Sequence, residues 1–169
     1  MRLLLAPHSD DECLFAAYSI IRHPTLVIVC TDYDGTRGPS AEERRQESVN
    51  AMRVLGAPIA FLGIPESKFS GQLVHDRLQH FNGMFDLCLA PAHQGGHKHH
   101  DEVSLYGRGP GYATYTKDNL KPFGDIEIAP TEAEFELKKR ALACYKSQWK
   151  LNPQHFEAVL EARSEFYVS

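Results

Sequence analysis

The stretch Leu3-Leu4-Leu5-Ala6-Pro7-His8-Ser9-Asp10-Asp11-Glu12 changes character at Pro7. Four apolar residues in a row fit a short strand buried on both faces, because a half-exposed strand would alternate. Beyond Pro7 come a histidine and three acids. In an open α/β sheet the carboxyl ends of the strands are where ligands bind, so this turn is a candidate site from the outset. Helix capping accounts for one or two of the acids, since Ser9 or Asp10 serves as an N-cap and acids suit a helix start. It leaves the histidine and the third acid unexplained.

Working outward, Leu26-Val27-Ile28-Val29-Cys30, Ile59-Ala60-Phe61-Leu62 and Leu87-Cys88-Leu89-Ala90 repeat the apolar run. Helical patterns separate them. From Asp11 to Arg22, Leu14, Ala17, Tyr18 and Ile21 recur at three- and four-residue spacing, and His23-Pro24 stops the helix. Ser40-Ala41-Glu42-Glu43 reads as a capping box opening a helix with Val49, Met52 and Leu55 on one face and Gly56 at its end. A second box, Thr131-Ala133 with Glu134, opens a helix expected to run towards Gln148. Residues 106–130 read as loop with a strand around Ile126-Ile128, and the tail reads as a helix followed by an extended Phe166-Tyr167-Val168. Alternating strand and helix implies a single-domain, Rossmann-like α/β fold over residues 1–169, a parallel sheet with helices on both faces.

Composition narrows the function. The 169 residues carry 18 Lys+Arg against 22 Asp+Glu, a net charge of −4, so no basic excess drives binding to nucleic-acid backbones or anionic membranes. No run approaches the ~18 apolar residues of a membrane-spanning helix, and the N-terminus is too short an apolar stretch for a signal peptide. The expected compartment is the cytoplasm. Cys13, Cys30, Cys88 and Cys144 form no C-x-x-C pair and read as small buried hydrophobes.

The fourth apolar run ends as the first does, in His93-Gln94-Gly95-Gly96-His97-Lys98-His99-His100-Asp101-Glu102, which holds four of the nine histidines. Strand ends remote in sequence meet along one edge of a parallel sheet. His8, Asp11 and a histidine of this cluster are therefore placed to converge on one metal with a position left open, as catalytic zinc requires. A solvated histidine-rich loop is the plainer reading of the cluster alone. Asp32, Asp34 and Arg37, after the second strand, fall on the same edge and either bind substrate hydroxyls or turn the chain.

His8-Ser9-Asp10-Asp11-Glu12 resembles the H-P-D-D-E motif of the PIG-L/LmbE-type zinc-dependent N-deacetylases, with Ser9 in place of proline. His97, His99, His100 and Val103 are similar to the family's H-x-D-H motif, with His99 where aspartate is usual. Arg44-x-x-Glu47-x-x-x-Ala51 and Lys138-x-x-Ala141-x-x-x-Tyr145-x-Ser147-Gln148 are similar to two of its helices. The resemblance implies Zn²⁺ held by His8, Asp11 and His100, with Asp10 as general base. It gives His97 the oxyanion or the leaving amine. Arg44 would contact substrate, or else pair with Glu47 or Glu43 on an exposed face. Glu12 and His99 would support the ligands, with His99 expected to point away from the face shared by His97 and His100. Any tyrosine help must come from Tyr106, Tyr112 or Tyr115, since Gly95 stands where some members have tyrosine. His93 would be adjacent at best.

The expected activity is hydrolysis of the acetamide of an N-acetylglucosamine-type or related N-acylated small molecule. The alternatives are a different N-acyl substrate such as an acylated nucleoside, or a non-catalytic metal- or small-molecule-binding module of the same fold. A metal phosphoesterase would need more bridging carboxylates. Homo-oligomer formation stays open.

Overall fold

The computed structural model describes residues 1–36, 38–81 and 83–169. Its elements in chain order are β1 (Arg2–Ala6), α1 (Asp11–Phe15), α2 (Ala17–Arg22), β2 (Thr25–Asp32), α3 (Ala41–Leu55), β3 (Ile59–Pro65), α4 (Gly71–Leu78), β4 (Leu87–Leu89), α5 (Lys98–Ser104), β5 (Gly111–Tyr112), β6 (Ile126–Ile128), α6 (Glu132–Leu142), α7 (Lys146–Leu151), α8 (Pro153–Ala162) and β7 (Glu165–Val168). The first four strands make a parallel sheet in the order β3-β2-β1-β4.

Alternation along the strands feeds two separate cores. Leu4, Ala6, Val27 and Val29 pack on one face with α1, α2, α3, α6 and α8, while Leu3, Leu5, Ile28 and Cys30 pack on the other with Val74 and Leu78 of α4 and Val103 of α5. Both faces are covered, which is why the strands read as unbroken apolar runs. The chain moves outward from β1 to β2 and β3, then returns to β1's other side as β4. The strand order therefore reverses at β1/β4, the position where α/β sheets open a crevice for ligands.

Two helices that periodicity reads as continuous are broken. Ala16, with φ −140° and ψ 17°, separates α1 from α2. The gap holds a buried ion pair: Lys138 Nζ donates to Leu14 O at 2.8 Å and to Glu165 Oε1 at 2.7 Å, and Glu165 Oε2 accepts the Tyr18 N–H at 3.0 Å. The loose end of one helix and the loose start of the next are both satisfied, so the break costs no orphaned backbone group. The late helix likewise divides, at Ala143–Tyr145, into α6 and α7.

The capping box at α6 is complete, with Thr131 and Glu134 bonded reciprocally. At α3 only Ser40 caps, accepting the Glu43 N–H at 3.1 Å, and Gly56 ends the helix in the left-handed region at φ 75°. The buried stripe of α3 is Arg44, Glu47, Ser48, Ala51, Met52 and Leu55, so Val49 gives way to polar residues near the cleft. The extended tail, with β5 and β6, forms an antiparallel sheet ordered β5-β7-β6 that strand periodicity did not announce. The four cysteines are free, Cys13 and Cys30 buried and Cys88 and Cys144 only partly so.

Candidate active site

β1 delivers His8 and β4 leads to α5, so the two histidine-bearing segments meet at the strand-order reversal. Asp11 Oδ2 lies 3.1 Å from His8 Nδ1 and 3.2 Å from His100 Nε2, and those two nitrogens are 3.3 Å apart. Around a tetrahedral zinc with ligands at ~2.0–2.1 Å, neighbouring donors stand about 3.3 Å apart. Two imidazoles and a carboxylate thus match one face of such a tetrahedron, and the donor set fits a divalent cation. Protonation suits the same use. Burial holds the His8 imidazole down at about 4 despite Asp11 beside it. Burial works against the Asp11 carboxylate, but His100 and His8 outweigh it and keep the group well below its ordinary range.

Each of the three donors is fixed from behind. Asp11 Oδ2 also accepts the His8 N–H at 2.8 Å. His100 Nδ1 meets the hydroxyl of buried Thr114 at 3.1 Å, and Thr114 N–H donates to Gln94 Oε1 at 2.9 Å. His8 Nε2 meets His99 Nδ1 at 2.9 Å. Hydrogen bonds of this kind set the tautomer and ring plane of a ligating histidine.

The expectation that His99 points away is therefore corrected. α5 begins at Lys98, and His97 is its N-cap with an extended φ of −147°, so helical spacing does not reach back to His97. All three rings gather round His8, with centroids 4.7 Å (His97), 5.1 Å (His99) and 5.2 Å (His100) away, and Phe69 stacks on His99 at 4.3 Å. His97 Nδ1 accepts the His99 N–H at 3.2 Å, which leaves the proton of the neutral ring on Nε2. Burial and nearby His100 lower its pKa. The loop before it is closely packed: a Cβ on Gly96 would stand 2.2 Å from Tyr115 O.

Asp10 borders the same cleft. Its φ is 120°, a left-handed value rare outside glycine, and it turns the chain between His8 and Asp11. Burial raises its carboxyl well above the ordinary value against the pull of Arg44, and Asp11, Glu12 and Glu66 raise it further. Glu12 is fully buried and does not line the cleft: Oε2 accepts the Asp10 N–H at 3.0 Å and Oε1 the Tyr145 O–H at 2.5 Å.

Arg44 is buried rather than an exposed partner of Glu47 or Glu43. It donates to Ser9 O at 2.9 Å, faces Glu66 at 3.5 Å and borders the cleft. Glu47 instead accepts from Ser147 N–H at 2.8 Å and Ser147 O–H at 2.6 Å, which locks α7 to α3 and sets Gln148 in the wall.

Other candidates stand elsewhere. His93 is exposed against Asp101 at 3.6 Å. Asp32 pairs with Arg45, Asp34 accepts the Ser67 N–H at 3.2 Å, and Arg37 lies outside the described residues. Of the tyrosines, Tyr115 borders the cleft, whereas Tyr106 donates to Gly71 O and Tyr112 to Leu5 O. Tyr33, Glu66 and His155 are wall residues that sequence reasoning missed. No local pattern marks them, because tertiary packing alone brings them to the cleft. His155 stacks on Tyr115 at 4.7 Å.

Comparison with curated proteins gave no significant match. Among solved structures the fold is similar to a conserved protein from Thermus thermophilus (19% identity, 99% of this chain and 93% of that one, TM-score 0.74). It is similar to N,N'-diacetylchitobiose deacetylase from Pyrococcus horikoshii (19%, 91% and 74%, TM-score 0.68). It is also similar to 4-carboxy-2-hydroxymuconate hydratase from Pseudomonas putida (18%, 95% and 84%, TM-score 0.71). At these identities the likeness is one of fold. The model of the PIG-L family, GlcNAc-PI de-N-acetylase, matches residues 3–108, a span that holds both histidine-bearing segments and nearly the whole parallel sheet. By that match the chain belongs to the PIG-L family.

Proposed function

We propose that this chain is a zinc-dependent N-deacetylase acting on the acetamide of a small N-acylated molecule, an N-acetylglucosamine-type sugar first among them. A fold shared with deacetylases and a hydratase does not decide between reactions, so the reading rests on the site and the family. The observation that carries it is the triangle of His8 Nδ1, Asp11 Oδ2 and His100 Nε2, with Asp10 bordering the same cleft.

A zinc ion on that triangle would supply a Lewis acid that brings the pKa of water towards ~7. Asp10, which borders the cleft and whose carboxyl burial raises above its ordinary range, accepts the proton of the attacking water and later returns it to the leaving amine. His97, with its proton on Nε2, donates a hydrogen bond to the oxygen that gains charge as the carbonyl carbon becomes tetrahedral. The products are acetate and a free amine. Arg44, Glu66 and Gln148 offer polar contacts to hydroxyls, and Tyr33, Tyr115 and His155 offer ring faces. The cleft, about 230 Å³, lies below the ~300–1,000 Å³ typical of drug-sized ligands and suits the acylated end of a substrate.

The experiment is metal analysis of the purified protein together with acetate release from a panel of N-acetylated sugars, acylated nucleosides included. Release that requires metal and Asp10 supports the reading. A metal-loaded protein inactive on every amide in the panel overturns it.

A further inference from the structure

The geometry points to a second divalent-cation site made of imidazoles alone: His8 through Nε2, with His97 and His99. The inference rests on the first cation lying on His8, Asp11 and His100, and its starting point is that the two nitrogens of one ring face two different triads. His8 Nδ1 looks towards Asp11 and His100, at 3.1 and 3.3 Å, while Nε2 looks towards His99 Nδ1 at 2.9 Å. One ring nitrogen from each of His8, His97 and His99 lies within 4.8 Å of the others. His99 makes this triad. The family motif has aspartate there, and an imidazole adds a neutral nitrogen ligand where the motif has a charged acceptor.

The two sites fill in order. Donor separations of 3.1–3.3 Å in the first triad already match a tetrahedral cation and include a carboxylate, whereas the second triad offers neutral imidazoles alone, one of them shared with the first. All three residues are only partly buried. A cation taken at His97 Nδ1 displaces the bond to the His99 N–H that caps α5. With both sites filled, His8 bridges the cations and gives up its last ring proton to solvent. Three imidazoles favour Cu²⁺, Ni²⁺ or Zn²⁺ over Mg²⁺ or Ca²⁺. The second cation also engages His97, and so removes it from the substrate.

The test is titration of chelator-stripped protein with Zn²⁺ against a chromophoric competitor, and with Cu²⁺ followed by electron paramagnetic resonance. Two equivalents are expected, the second weaker, with loss of Cu²⁺ signal on the second addition as spins couple through the His8 ring. His99→Asn, which keeps an acceptor for His8 Nε2–H, and His97→Asn, which keeps a good helix cap, should each bind one equivalent only. One equivalent in the unaltered protein overturns the second site and leaves the proposed function standing. Two equivalents in both variants overturn the ligand assignment. No binding at all overturns the proposed function, and this inference with it.

Discussion

Glu12 Oε2 accepts the main-chain N–H of Asp10 at 3.0 Å, and Asp10 is one of two described non-glycine residues with positive φ. A left-handed φ at such a residue costs about 1–3 kcal/mol and persists only where the surroundings impose it. The acid beside the cleft is thus held in place by an acid that never reaches the cleft. Glu12→Ala leaves the Asp10 N–H without its acceptor and the Tyr145 O–H with only the Ser48 hydroxyl at 3.3 Å, and the loss should be at least the ~1–3 kcal/mol of one stranded buried donor. Urea denaturation measures it. Tyr145→Phe, which removes one of these bonds, should cost less, and a silent Glu12→Ala would refute the role.

Asp10→Asn should retain fold and bound metal while losing turnover by ~10²–10⁴-fold, the usual contribution of a general base. Metal content and acetate release on the same preparation decide it. Near-normal turnover would move the base elsewhere, and Glu12, with both carboxylate oxygens engaged, is not a free substitute.

His99→Ala removes the atom that meets His8 Nε2 and should weaken metal binding by ~10–100-fold, as loss of a ligand's hydrogen-bonding partner typically does. His100→Ala, which removes a donor of the triangle, should weaken it further. Chelator competition ranks the two, and equal affinity to the unaltered protein in His100→Ala would exclude His100 as a ligand.

Lys138→Met should destabilise by about 3–5 kcal/mol, because it strands the buried Glu165 carboxylate without its cation. Adding Glu165→Gln should cost less than the sum of the single changes, since neither charge is then left alone. Strict additivity in the denaturation midpoints would mean the pair does not act as a pair.

Arg22 bonds Glu134 at 2.7 and 2.9 Å and holds its carboxyl at about 2, well below the ordinary 4.5. The unfolded chain takes up this proton at a higher pH than the folded one. The contribution is therefore complete above about 4.5 and is lost as pH falls towards 2. Arg22→Ala should flatten that part of the stability curve measured between those limits.

The parallel sheet was legible because burial on both faces leaves unbroken apolar runs, and the reversal at β1/β4 turned two of their ends into one site. Residue types at those ends carried the donor set. What could not be read is local chemistry answered from far away. Nothing near Ala16 foretells the break between α1 and α2, since its partners are Lys138 and Glu165. The placing of His99 depended on where α5 starts, and a histidine N-cap is not a pattern that periodicity detects. Thr114, which steadies His100, lies in a stretch without periodic signal.

The ion pair that fills the helix break also sets an order of assembly. Glu165 is 147 residues beyond Tyr18, and Tyr112, which donates to Leu5 O, is 107 residues beyond it. During synthesis the His8–Asp11 turn leaves the ribosome early, but the groups that settle the segment behind it arrive late. Contacts of such long range slow folding. A nascent chain halted before residue 165 therefore carries the motif without the Lys138–Glu165 pair that closes the helix break behind it.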